Sequence, residues 1–119
     1  MLFARSSIGV DAYVFDVLMR DILGHDKQPS AFLVYLFLYA RAARNGWRPV
    51  TASLRQVAEE TGISKSAVQA ALQNLHRREL IETRMIHPTA SPIHRVRRPW
   101  RRRWKRRNAA KATPRSAAR

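Results

Sequence analysis

The sequence predicts a mainly α-helical domain with a small β-hairpin, followed by a basic C-terminal tail. Three observations predict it. Two helical patterns, LRQVAEE and KSAVQAALQNLHRR, meet at Thr61-Gly62-Ile63-Ser64. Directly after them Leu80 to Ile86 alternates, with Ile81, Thr83 and Met85 on one side and Glu82, Arg84 and Ile86 on the other, which is the period of a strand. Charge then divides the chain. Residues 1–75 carry 8 Lys+Arg and 6 Asp+Glu, residues 76–119 carry 15 and 2, and no acid follows Glu82.

Local chemistry justifies each element in chain order. From Val10 to Leu23, Val10, Val14, Val17, Leu18 and Ile22 fall on one helical stripe, Asp11, Asp16 and Asp21 lie away from it, and Gly24 is a natural stop. His25 to Pro29 reads as a loop. Ser30 can cap a second helix, Ala31 to Arg44, that ends at Asn45-Gly46. Its first ten residues are apolar nearly all round, so it should be buried on several sides. Phe32, Tyr35, Phe37 and Tyr39 serve either as the centre of one core or, in part, as a dimer interface. Trp47 to Thr51 is extended, because Pro49 turns Arg48 away from helix. Ser53 caps Leu54–Glu60, with Gln56 three residues on, and Ser64 caps a helix from Lys65 to about Arg78. His87-Pro88-Thr89-Ala90-Ser91-Pro92 breaks the strand after that helix, and Ile93 to Val96 returns as the second arm of a hairpin.

Composition limits the function classes. The formal net charge of +15 calls for a polyanionic partner, and 19 of the 23 cations are Arg, which forks onto phosphate and guanine edges. There is no cysteine, hence neither a disulfide framework nor a thiolate zinc site. The opening MLFARSSIGVDAYVFD is interrupted by Asp11 and Asp16 and does not read as a presequence. The longest apolar run, Ala31 to Ala40, has ten residues where about 20 are needed to span a bilayer. These features predict a cytoplasmic, nucleoid-associated protein with no membrane role. No catalytic constellation is visible: His25, His76, His87 and His94 are scattered, Asp11, Asp16, Asp21 and Asp26 recur every five residues, and no Gly-rich phosphate loop exists. Neither an enzyme nor a cofactor or metal is expected.

The junction at Gly62 carries the functional expectation. A small residue, Ala58, lies four before the glycine, and Ser64 caps the second helix, which is how a helix-turn-helix is built. Residues 30–96, with a bulky apolar helix, PVTASLRQVAEETGISKSAVQAALQNL and then HRRELIETR, resemble the winged helix-turn-helix superfamily of bacterial, plasmid and phage regulators and replication-initiation modules. One departure is Glu79, where many members have Gly, so Glu79 must take a strained backbone or end the helix differently. The expected organisation is an N-terminal helix for packing or dimerisation (1–29), a winged helix-turn-helix (30–97) and an Arg/Trp-rich tail (98–119), disordered when free.

With Ala58, Ile63, Val68 and Leu72 inward, the outward residues of the second helix are Ser64, Lys65, Ser66, Gln69, Ala70 and Gln73. Gln pairs hydrogen bonds with adenine, whereas Lys and Ser reach phosphate or guanine. His76, Arg77 and Arg78 continue the basic face toward the DNA backbone, and Arg55 is a further phosphate residue. In the wing, Arg84, His94, Arg95 and Arg97 are placed for phosphate or the minor groove. The tail adds Arg98, Trp100, Arg101, Arg102, Arg103, Trp104, Lys105, Arg106 and Arg107, with Pro99 at a helix start and the two tryptophans four apart. A sequence-specific double-stranded DNA-binding protein, most simply a transcriptional regulator, is the expected function. A replication-initiation or plasmid-maintenance role, an architectural or RNA-associated protein working through its tail, and a protein adaptor using Val10–Leu23 are the alternatives. A homodimer through residues 10–45 is the expected assembly.

Overall fold

The computed structural model describes residues 6–101. Helix α1 covers residues 12–25, followed by α2 (Pro29–Arg44), β1 (Val50–Thr51), α3 (Leu54–Thr61), α4 (Lys65–Arg77), β2 (Ile81–Arg84) and β3 (Ile93–Val96). The apolar α2 lies at the centre, packed against α1, α3, α4, β1 and β3. Ala31, Phe32, Val34, Tyr35, Leu38, Tyr39 and Ala42 are its buried residues and share one broad face, while Leu36 and Phe37 are half-buried and Leu33 is exposed, so the helix is less enclosed than its composition predicts.

Helix α1 differs from the expected α-helix. Its stretches Val14–Leu18 and Arg20–His25 are π-helical, with hydrogen bonds reaching back five residues, as from the Asp26 N–H to the Asp21 carbonyl at 2.9 Å. The buried row is Val14, Leu18 and Ile22, while Val17 is only half-buried. The helix also runs through Gly24, and the chain turns at Lys27, with φ 55°. Pro29 rather than Ser30 opens α2, because proline at the first position sacrifices no intrahelical hydrogen bond.

The helix-turn-helix forms by the local rules read from its sequence. Ser53 Oγ accepts from the Gln56 N–H at 3.0 Å, and Ser64 Oγ accepts from the Ala67 N–H at 3.2 Å. Between them Gly62 takes φ 80° and donates its N–H to the Ala58 carbonyl at 2.9 Å. The Gln56 side chain turns to Glu60 at 3.1 Å instead of closing a capping box.

The strands form one antiparallel sheet in the order β1-β3-β2. Thr83 stands opposite His94 and Ile81 opposite Val96, while Val50 pairs with His94 from the other side. The hairpin therefore has a third strand, making β3 central. Glu79 leads into β2 with φ 59°, the strained alternative of the two open to it. Its exposed carboxylate lies 3.9 Å from Arg97, a contact that stabilises little. Glu79→Gly is expected to raise stability by about 1 kcal/mol in urea unfolding; a loss of stability would mean that the Arg97 contact outweighs the backbone strain.

Candidate nucleic-acid interface

Helix α4 presents two unlike faces. Val68, Ala71, Asn74 and Leu75 are buried, and Leu72 is half-buried. Lys65, Ser66, Gln69, Ala70, Gln73, His76 and Arg77 are all exposed, and helical spacing of three and four aligns them in one row. Ser64 caps that row at its N-terminal end. All six residues expected to face out on this helix are thus brought together.

The basic residues separate into groups that the sequence does not distinguish. Lys65, Arg77 and Arg84 are exposed and have no ion-pair partner among the described residues. Arg55 and Arg95 are exposed too, but Arg55 lies 3.0 Å from Glu59 and Arg95 3.6 Å from Glu82. Such surface pairs contribute little, and phosphate can compete for the guanidinium. The other Arg residues expected at the interface, among those described, are engaged within the module. Arg78 grips both oxygens of Asp26, its Nη2 at 2.8 Å from Oδ1. Arg97 reaches Glu82 at 3.5 Å. The Arg98 guanidinium stacks 3.5 Å over the Trp47 ring, and Arg101 donates twice to Asp11, each at 2.7 Å.

Two aromatic expectations are also relocated. Trp100 stacks on Tyr13 with centroids 4.7 Å apart and donates its indole N–H to Asp11 at 2.8 Å, so its ring faces α1 rather than solvent. Helical backbone does begin at Pro99. Arg102, Arg103, Trp104, Lys105, Arg106 and Arg107 lie outside the described residues. His94, read as a surface residue of the wing, is 1% exposed. The cause is β1, whose pairing covers β3; the ring is held by Thr83 Oγ1 at 2.8 Å and the Ala52 carbonyl at 3.2 Å.

Asp11 and Asp26, at the two ends of α1, are the residues whose role the sequence did not disclose. Asp26 binds Arg78 and also accepts from the Asn74 side chain at 3.0 Å, which fixes the C-terminal end of α4 against α1. Asp11 fixes the segment after the wing. The Arg78 guanidinium, helped by His25 and Asn74, holds the Asp26 carboxyl far below the usual carboxylate range. Hydrogen bonding from Arg101, with Trp100 and despite some burial, lowers Asp11 to about 2. The one available signal was complementarity: acids in the first quarter of the chain and an excess of Arg from Arg77 onward.

These shifts set the pH response. Burial lowers the His94 pKa, partly offset by the Ala52 carbonyl. The unfolded chain then binds the proton more readily than the folded one, so stability is full above about pH 6.5 and falls as pH drops below it. Asp11 and Asp26 are also depressed, and their contribution is lost only in stronger acid, below about pH 4. Melting temperatures measured from about pH 8 down to about 5 should decline below 6.5 in the parent and stay level in His94→Gln. A level profile in the parent would contradict the buried, neutral ring.

Among the described residues no cluster of His, Asp or Glu could hold a metal ion, and no helix is long and apolar enough to cross a membrane. Comparison with curated proteins and with solved structures gave no match. A family model described as a helix-turn-helix domain matches residues 25–81, from the end of α1 to the start of β2. Domains of this kind support DNA binding. With the strands that follow it, this part of the chain has the architecture of a winged helix-turn-helix module.

Proposed function

We propose that the protein binds double-stranded DNA sequence-specifically, with α4 in the major groove, and acts in the cytoplasm as a transcriptional regulator. The observation that carries this reading is the exposed row from Lys65 to Arg77, polar along its length apart from the small Ala70. Gln69 and Gln73 offer paired donors and acceptors suited to adenine, and Ala70 is small enough to meet a thymine methyl. Lys65, Arg77 and Arg84 take backbone phosphates, joined by Arg55 and Arg95 once their surface pairs exchange. Residues 102–119 add eight cations and no acid, so they contribute affinity without choosing sequence. A replication-initiation or plasmid-maintenance role would use the same contacts.

Selection from random duplexes should yield a preferred site, and Gln69→Ala with Gln73→Ala should abolish that preference while affinity for unrelated duplex stays within about threefold. Persistence of the preference in the double variant would overturn the assignment. Truncation after Arg101 should weaken binding to every duplex and flatten the log–log salt dependence by about 0.9 for each phosphate no longer neutralised. An unchanged slope would mean that the tail does not touch DNA.

A second copy of the chain is the occupant we propose for the outer face of α1. Phe15, Met19 and Leu23 stand four apart and are 47%, 36% and 38% exposed. Antiparallel pairing centred on Met19 sets Phe15 of one copy against Leu23 of the other and brings the exposed Asp16 and Arg20 together twice, so the face is self-complementary in charge as well as shape. Sedimentation at micromolar concentration should give a dimer that Met19→Arg converts to monomer; a monomeric parent would refute the pairing.

A further inference from the structure

His76 stands in the exposed row of α4, yet its ring is held from behind. Its Nε2 lies 2.6 Å from Thr83 Oγ1 on β2, and that oxygen lies 2.8 Å from His94 Nδ1 on β3. His94 Nε2 in turn lies 3.2 Å from the Ala52 carbonyl, just before α3. The direction of the chain follows from its buried end. A carbonyl only accepts, so His94 carries its hydrogen on Nε2 and presents a bare Nδ1. Thr83 must donate to that nitrogen, and its remaining lone pair accepts from His76 Nε2–H. His76 is thereby fixed in one tautomer, with Nε2–H turned into the protein. Nδ1 has no hydrogen-bond partner among the described residues.

A neutral His76 offers a lone pair at Nδ1, which repels a phosphate oxygen. The protonated ring offers a charged N–H in the same place, at no cost to the bond with Thr83. We propose that His76 is a proton-linked phosphate-binding residue, taking up a proton as a DNA backbone phosphate settles on Nδ1, with Thr83 and His94 as positioning residues that aim the ring. This rests on the reading of α4 as the DNA-facing helix. The surroundings suit the role. On α4, Gln73 and Arg77 flank His76, while Glu79 is directed to Arg97. On β2 the charged Glu82 and Arg84 alternate away from Thr83, and on β3 Arg95 alternates away from His94. Glu82 is engaged by Arg95 and Arg97. No described acid pairs with His76, so a bound phosphate is the anion that stabilises its charged form.

The test uses the 119-residue chain and a mixed-sequence duplex of about 20 base pairs at constant ionic strength. Fluorescence anisotropy at about pH 8 and about pH 5.5 is combined with NMR titration of the histidine rings with and without the duplex. Parent affinity should rise about tenfold toward the lower pH. His76→Gln should lose the rise, and Thr83→Val, compared with itself at the two pH values, should lose most of it. His87→Gln, at the exposed wing tip, should keep the rise. The duplex should move the His76 titration to higher pH, and the unbound ring should show hydrogen at Nε2. A pH-dependence that survives in His76→Gln, or a His76 titration unmoved by the duplex, overturns the proposal while leaving the DNA-binding reading intact. Failure of the parent to bind any duplex at either pH overturns both.

Discussion

Helix α2 is apolar on nearly every side over Ala31–Ala40, and such a helix is stable in water only with neighbours all round it. The chain meets most of this demand by packing α1, α3, α4, β1 and β3 against it, leaving Leu33 exposed. The orientation of α4 is a consequence. Val68, Ala71 and Leu75 are buried in the core that α2 organises, so the opposite row, from Lys65 to Arg77, is turned to solvent. A face available to DNA therefore arises from burial on the other side of the same helix.

Two polar atoms on α2 extend its control to both ends of the module. The Tyr35 hydroxyl donates to the Arg97 carbonyl at 2.8 Å, and the Tyr39 hydroxyl accepts from the Asp11 N–H at 3.1 Å. Desolvation of Tyr35 raises its pKa, which keeps it a donor at any ordinary pH. Asp11 then binds Trp100 and Arg101, so the start of α1 and the segment after the wing are tied to each other as well as to α2. This arrangement consumes several of the cations that composition alone suggested for nucleic acid. Arg78, Arg97, Arg98 and Arg101 hold the module together.

What could be read in advance was what short-range chemistry decides. Ser53, Gly62 and Ser64 act on backbone atoms within four residues, and the α4 row follows from helical period, so the turn and the outward residues were legible. Long-range pairings were not. Nothing in Val50-Thr51 announces that it will cover β3, and without that the burial of His94 is invisible. The inward turn of Arg78 depends on Asp26, 52 residues earlier. The five-residue recurrence of Asp fits no helical face; only its outer members, Asp11 and Asp26, act as clamps, at the two ends of the largely π-helical α1. The strain at Glu79 was legible because a Gly-preferring position held another residue.

In the proposed function, packing on α2 leaves the Lys65–Arg77 row as the surface that meets DNA. The decisive measurement is chemical-shift mapping of the isotopically labelled 119-residue chain with a duplex. Shifts are expected to concentrate at Lys65, Ser66, Gln69, Ala70, Gln73 and Arg77, with Val14, Leu18 and Ile22 unmoved. Shifts confined to residues beyond Arg101, with the α4 row unmoved, would contradict it.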